Sequence, residues 1–312
     1  MDFGLVVHGG AWAIPDEAVE GHLQGVSQAC SAAYTMLADG RSALDAVEHA
    51  VALMELDPTF DAGVGSFLNQ VGEVEMDAII ATSDLRLGSV CAVQNITHPV
   101  KLARVVMEKT THVCVVGKGA NMLAEQHGIT SCAPEDLLVG RELERYRLIK
   151  AKKSFVIKDT FRHSPHKPNG MGTVGCVAKD REGRLALAVS TGGTAHKLCG
   201  RVGDTPLWGS GGYVEPIGAA AATGYGEDLV RILATRQCID YVRQGLAAQE
   251  AVVKTIQDLQ QKVNGLGGLI CITPSSLGLA FNTPRMAFAR QTNDDPLQIG
   301  IERGDAPNPP QT

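Results

Sequence analysis

The chain has 312 residues, of which 44% are hydrophobic and 20% charged, with a formal net charge of −6. That length allows one large α/β body or two smaller domains, and the composition is that of an ordinary globular protein with a sizeable core. No apolar run approaches the ~20 residues of a membrane span, and the scattered Lys and Arg make no basic field for nucleic acid, so the expected partners are small molecules.

In chain order, Leu5–Val7 reads as a strand. Before it lie no basic stretch, long apolar segment or small-residue cleavage site, and a cytoplasmic location is expected. Two helical periods follow, about Glu17–Ala38, closing near Gly40, and Ser42–Leu56, with Ser42 as N-cap. Strand-like runs at Val74–Ala81 and Ser89–Val93 come next. A helix at about Val100–Glu108, a strand at His112–Val116 and a short helix behind it complete this half. Gly117-Lys118-Gly119 holds only the start of a dinucleotide fingerprint, because the third glycine and the later acidic residue are missing. Eight cysteines are spread along the chain without a CxxC pair, several in apolar runs, which reads as reduced, buried thiols.

From about Ser131 to Met171 the periodicity lapses, and a flexible connection over about 131–172 is expected. His163 and His166 within it lack Cys or acidic companions and read as solvated linker rather than a metal site. Beyond it, Thr173–Lys179 and Arg184–Ser190 flank the turn Asp180-Arg181-Glu182-Gly183 as a hairpin. Helices at about Glu227–Gln244 and Ala248–Val263 precede strands at Gly268–Thr273, Leu277–Asn282 and Met286–Gln291. Strands and helices come in blocks rather than alternating, which points to an α+β fold of stacked antiparallel sheets covered by helices.

The chemistry concentrates at residues 169–176, "NGMGTVGC", where a threonine set between glycines opens a strand at the end of that connection. A threonine hydroxyl is a poor nucleophile without an adjacent base, and its own α-amine, with a reference pKa of ~7.7–8.0, can serve once the preceding peptide bond is broken. Gly172 permits the strained or positive-φ geometry that would expose the scissile carbonyl to the Thr173 hydroxyl. A Gly-Thr pair that simply starts a strand is the plainer reading of these eight residues taken alone.

Further stretches change that balance. His8-Gly9-Gly10-Ala11, Phe60-Asp61-Ala62-Gly63-Val64-Gly65-Ser66, Val74-Glu75-Met76-Asp77-Ala78, Gly172-Thr173-Val174-Gly175, Gly200-Arg201-Val202-Gly203-Asp204-Thr205-Pro206 and Ala222-Thr223-Gly224-Tyr225-Gly226-Glu227 occur in that order. Together they resemble the plant-type L-asparaginase and isoaspartyl peptidase family of N-terminal-nucleophile hydrolases, over most of the chain. The resemblance implies a four-layer αββα sandwich, cut at Gly172–Thr173 into residues 1–172 and 173–312, which stay together as one structural domain. It implies a homodimer of cleaved protomers and no required cofactor.

By the same resemblance Thr173 is the nucleophile and Thr191 its hydroxyl partner, while Thr223 and the Gly224 N–H are the oxyanion donors, worth ~3–4 kcal/mol each. Arg201 grips a substrate α-carboxylate and Asp204 its α-ammonium, consistent with the bidentate fit of guanidinium to carboxylate. Glycine at Gly224 and Gly226 permits close backbone approach. A loop through Met54, Glu55, Asp57, Phe60, Ala62 and Val64 corresponds to one that holds a structural sodium ion through backbone carbonyls. Two positions depart from the family: Asp61 stands where asparagine is usual, and Tyr225 where histidine is frequent. A carboxylate at Asp61, near the nucleophile's amine, is expected to raise the amine's pKa and weaken it as a base. The function implied is hydrolysis of L-asparagine or of isoaspartyl dipeptides. The alternatives are a glycosylasparaginase, disfavoured by the lack of a signal peptide, and an uncut ligand-binding protein, which Asp61 would suit.

Overall fold

A computed structural model describes residues 1–151, 156–162 and 172–306. His163 and His166 lie outside the described residues. The elements run β1 (Gly4–Trp12), α1 (Asp16–Ala38), α2 (Ala43–Leu56), β2 (Met76–Thr82), β3 (Leu87–Val93), α3 (Pro99–Lys109), β4 (Cys114–Val116), α4 (Gly117–Gln126), α5 (Pro134–Leu137), α6 (Gly140–Lys150), β5 (Val174–Lys179), β6 (Leu185–Thr191), β7 (Gly212–Glu215), β8 (Gly218–Gly224), α7 (Gly226–Ile232), α8 (Ala234–Arg243), α9 (Ala248–Val263), β9 (Gly267–Ile272), β10 (Leu277–Phe281), β11 (Arg285–Thr292) and β12 (Gln298–Gly300).

Eight strands form one sheet in the order β12-β11-β1-β5-β6-β2-β3-β4, and four form a second in the order β10-β9-β8-β7. All pairs are antiparallel except β3 with β4. The layering follows from a period of two with both faces apolar. On β1, Leu5 and Val7 join the core beneath α1 to α3, while Val6 joins the core between the sheets. On β8, Ala219 and Ala221 face the large sheet, and Ala220 and Ala222 face α8 and α9. Three cores separate four layers, which is the expected αββα sandwich.

Local signals agree where they are strong. The Ser42 side chain accepts the Asp45 N–H at 3.1 Å, capping α2. Asp180 closes the β5–β6 hairpin by accepting the Glu182 and Arg184 N–H groups, each at 3.0 Å.

Four readings need correction. The segment from Ser131 is not structureless: α5 and α6 occupy it, and α6 buries Glu142, Arg145 and Ile149. The single helix expected at Glu227–Gln244 is two, broken at Leu233, whose φ of +50° ends α7. β7, β8 and β12 are strands that no apolar pattern marked. The cysteines are all free as expected, but Cys114 and Cys199 are exposed rather than buried.

Candidate active site

The site lies where the ends of β5, β6 and β8 meet. Val174 pairs with Ser190 across the β5–β6 ladder, so Thr173, one residue earlier, stands opposite Thr191. The Thr173 hydroxyl donates to Thr191 Oγ1 at 3.0 Å. Thr191 Oγ1 also accepts the Gly193 N–H at 3.0 Å, which fixes its rotamer. The expected nucleophile and its hydroxyl partner are therefore in contact.

Gly172 has φ of +137°, and a Cβ there would come within 2.8 Å of both Gly10 Cα and the Gly9 carbonyl oxygen. Only glycine fits. Its carbonyl oxygen accepts the Asp61 backbone N–H at 3.3 Å. The Asp61 carbonyl in turn accepts the Gly192 N–H at 2.8 Å. Asp61 thus ties the chain before Thr173 to the chain after Thr191 through its backbone.

Its side chain is anchored through one oxygen. Asp61 Oδ1 accepts the Phe67 N–H at 2.9 Å, and a Cβ on Gly192 would fall 2.2 Å from the same oxygen. Burial pushes the carboxyl well above the usual range, with the Phe67 N–H opposing; Glu142 adds to the rise, and Lys197 and Arg145 also oppose it. Glu142 and Arg145 of α6, and Lys197, thus act electrostatically on a carboxyl that is itself buried. The other carboxyl oxygen, Oδ2, is buried with no hydrogen-bond partner among the described residues.

Thr223 Oγ1 accepts the Ala11 N–H at 3.2 Å, which holds the β8 end against β1. Gly224 has φ of +142° and approaches Gly267 so closely that a Cβ would lie 2.4 Å from its Cα. Thr173, Thr223, Gly224 and Gly193 line one small cavity with Trp12, Phe67 and Phe161.

Arg201 is held by Glu227, with Nε and Nη2 donating to the two carboxylate oxygens at 3.0 and 2.9 Å. Asp204 is 4% exposed, and its Oδ2 has no hydrogen-bond partner among the described residues. Burial pushes Asp204 up to about 7, while the Arg201 charge opposes. Gly226 makes room for both: a Cβ there would lie 2.8 Å from Asp204 Oδ1 and 3.1 Å from Arg201 Nη2. A guanidinium and a buried carboxylate side by side suit an amino acid's carboxylate and ammonium.

Sequence reasoning missed four participants. His8 is fully buried beside Thr173, and a Cβ on Gly175 would come 2.3 Å from its Nε2. Burial holds its pKa down to about 3, against the pull of the Thr173 backbone, so the ring is neutral. Lys197, 2% exposed, donates to the Glu75 carbonyl at 2.6 Å beneath Gly193. Glu227 stood in a quoted motif, but its grip on Arg201 depends on tertiary placement. Phe161 fell in the stretch read as linker, which carried no signal.

In the loop expected to hold sodium, two carbonyls lie close to Gly65. A Cβ on Gly65 would lie 2.6 Å from the Phe60 carbonyl oxygen and 2.9 Å from that of Pro58. The Glu55 carbonyl accepts Val64 N–H at 2.8 Å and keeps a second lone pair. Among the described residues no group of three or more His, Cys, Asp or Glu could hold a metal.

A profile of the asparaginase family matches residues 1–301. The chain is 40% identical over 304 residues to the isoaspartyl peptidase/L-asparaginase of Xenopus laevis, and 40% identical over 304 residues to the protein of that name from Homo sapiens; each alignment covers 96% of both chains. It is 41% identical over 302 residues to the counterpart from Rattus norvegicus, covering 96% of this chain and 88% of the relative.

Proposed function

The chain belongs to the asparaginase family, and from that premise we propose that it is a self-cleaving threonine amidohydrolase acting on L-asparagine and isoaspartyl peptides. The observation that carries this reading is the Thr173 hydroxyl, hydrogen-bonded to Thr191 and next to a Gly172 carbonyl held by the Asp61 N–H.

In the first reaction the Thr173 oxygen attacks the Gly172 carbonyl carbon, and the C–N bond breaks as the acyl group moves from nitrogen to oxygen. Water then hydrolyses that ester, leaving a carboxylate on Gly172 and a free amine on Thr173. The amine, near its reference pKa of ~7.7–8.0, becomes the base for the second reaction. It takes the hydroxyl proton as Thr173 Oγ1 attacks the substrate's β-carbonyl. Thr223 and the Gly224 N–H face the developing oxyanion, and Thr191 aligns the nucleophile. Ammonia or the peptide amine leaves with a proton, and water releases aspartate from the acyl-threonine. Arg201 and Asp204 hold the α-carboxylate and α-ammonium.

A sodium ion at the carbonyls of Met54, Glu55, Asp57, Phe60, Ala62 and Val64 would brace the loop that carries Asp61, and no chemical step depends on it. The working form is proposed to be a homodimer of cleaved protomers, which light scattering on the cleaved protein tests. For the activity, aged protein is assayed against L-asparagine and a β-aspartyl dipeptide. Release of aspartate from both supports the reading, and release from neither overturns it.

A further inference from the structure

The cavity beside the Thr173 hydroxyl has a volume of about 10 Å³, room for about one water molecule and far too little for an aspartyl unit. One of its walls is Phe161, on the short 3-10 turn Ile157–Phe161. Three contacts fasten this turn to the residues just after Gly224. The Lys158 ammonium is ion-paired with Asp228. The same ammonium lies 5.2 Å from the centroid of the Tyr225 ring. Phe161 meets that ring edge-on, with centroids 5.9 Å apart. Asp228 is completely buried. Its other cation, Arg231, is 3.3 Å away and two-thirds exposed.

We propose that Tyr225 and Asp228 form the leaving-group subsite, filled in the uncut chain by Lys158 and Phe161, and that it selects isoaspartyl peptides whose second residue is cationic. The proposal rests on the Thr173 amidohydrolase reading. Cleavage frees the carboxyl end at Gly172, so the turn is no longer joined covalently to Thr173. Substrate requires it to withdraw, because with Phe161 in place no aspartyl unit fits. Withdrawal removes Lys158 from Asp228 and leaves a buried carboxylate whose remaining partner is mostly in solvent, a costly arrangement. A lysine side chain on the residue joined to the β-carboxyl restores both the ion pair and the cation's contact with the Tyr225 ring. An acidic side chain there would set like charges together in a site shielded from water.

The test compares kcat/KM for β-aspartyl-lysine and β-aspartyl-glutamate on fully cleaved protein, with L-asparagine alongside to report the underlying activity. The lysine dipeptide is expected to be preferred by at least about tenfold, as for a partly desolvated charge pair, and Asp228→Asn should collapse that ratio. The same ratio in the unmodified enzyme should fall as salt is raised, which decides the matter if the variant does not fold. Equal rates for the two dipeptides, or a preference indifferent to Asp228→Asn and to salt, would overturn the subsite. Failure to hydrolyse L-asparagine and both dipeptides would overturn the amidohydrolase reading itself, and the subsite with it.

Discussion

The backbone N–H of Asp61 donates to the carbonyl oxygen of Gly172 at 3.3 Å, so a residue more than a hundred positions upstream holds the carbonyl that Thr173 has to attack. This contact and the Oδ1 bond to Phe67 are both available to asparagine. Asp61→Asn should therefore cut itself, and the lower limb of its kcat/KM profile should stay where it is in the parent. Stability should respond instead. The Asp61 carboxyl is raised above its ordinary value of 3.8 in the fold; the stability tied to it is present below that value and is lost as pH rises through the folded pKa. Thermal melting from acid to alkaline pH should show Asp61→Asn gaining on the parent as pH rises. A limb displaced to lower pH in Asp61→Asn would place the carboxylate on the Thr173 amine after all.

Gly172→Ala tests the backbone at the cut. Its φ of +137° and its contacts with Gly9 and Gly10 leave no room for a Cβ, and strain of about 1–3 kcal/mol is expected. Relief of that strain needs movement of the scissile carbonyl away from Asp61. Cleavage, followed on a denaturing gel, should slow by about tenfold or more, since about 1.4 kcal/mol is a factor of ten. Unchanged cleavage would show that the contact with Gly10 is dispensable.

Thr191→Val removes the oxygen that accepts from both Thr173 and Gly193 while keeping the shape. Loss of a buried partner costs about 1–3 kcal/mol, so kcat should drop by about ten- to a hundredfold. Thr191→Ser should recover most of it. Activity kept in Thr191→Val but lost in Thr191→Ser would point to packing by the Thr191 methyl rather than its hydroxyl.

The Asp204 carboxyl, raised to about 7 by burial, has to be ionised to hold a substrate ammonium. Below that value substrate binding has to drive off a proton. KM should fall as pH rises through about 7, and Asp204→Asn should raise KM and flatten this dependence. Folding runs the opposite way, because a raised carboxyl pKa costs stability as pH rises from 3.8 through about 7. Reading KM apart from kcat separates Asp204 from the Thr173 amine. A KM independent of pH in the parent would contradict the assigned role.

The sequence revealed the layers and the nucleophile more readily than the walls of the site. Leu5–Val7, the β5–β6 hairpin and α9 carry apolar periods that survive tertiary context, and Thr173 and Thr191 meet because that hairpin's register brings them opposite each other. β8 was hidden because four of its six buried positions are alanines, Ala219 to Ala222; they are small enough to lie between two layers but favour helix by intrinsic propensity. α6 was hidden for the reverse reason: two of its three buried residues, Glu142 and Arg145, are charged and satisfy each other, so no apolar stripe marks the helix. The roles of Lys158, Phe161 and Asp228 depend on contacts between residues about 70 apart, which no local pattern encodes.

Self-cleavage at Thr173 is the claim on which the rest depends, and the mass and N-terminal sequence of an aged preparation test it most directly. The account predicts two polypeptides, residues 1–172 and 173–312, the second beginning Thr-Val-Gly-Cys; Thr173→Ala should stay whole and inactive. A chain that stays intact indefinitely and still releases aspartate from L-asparagine would contradict it, because the amine assigned as the catalytic base would never exist.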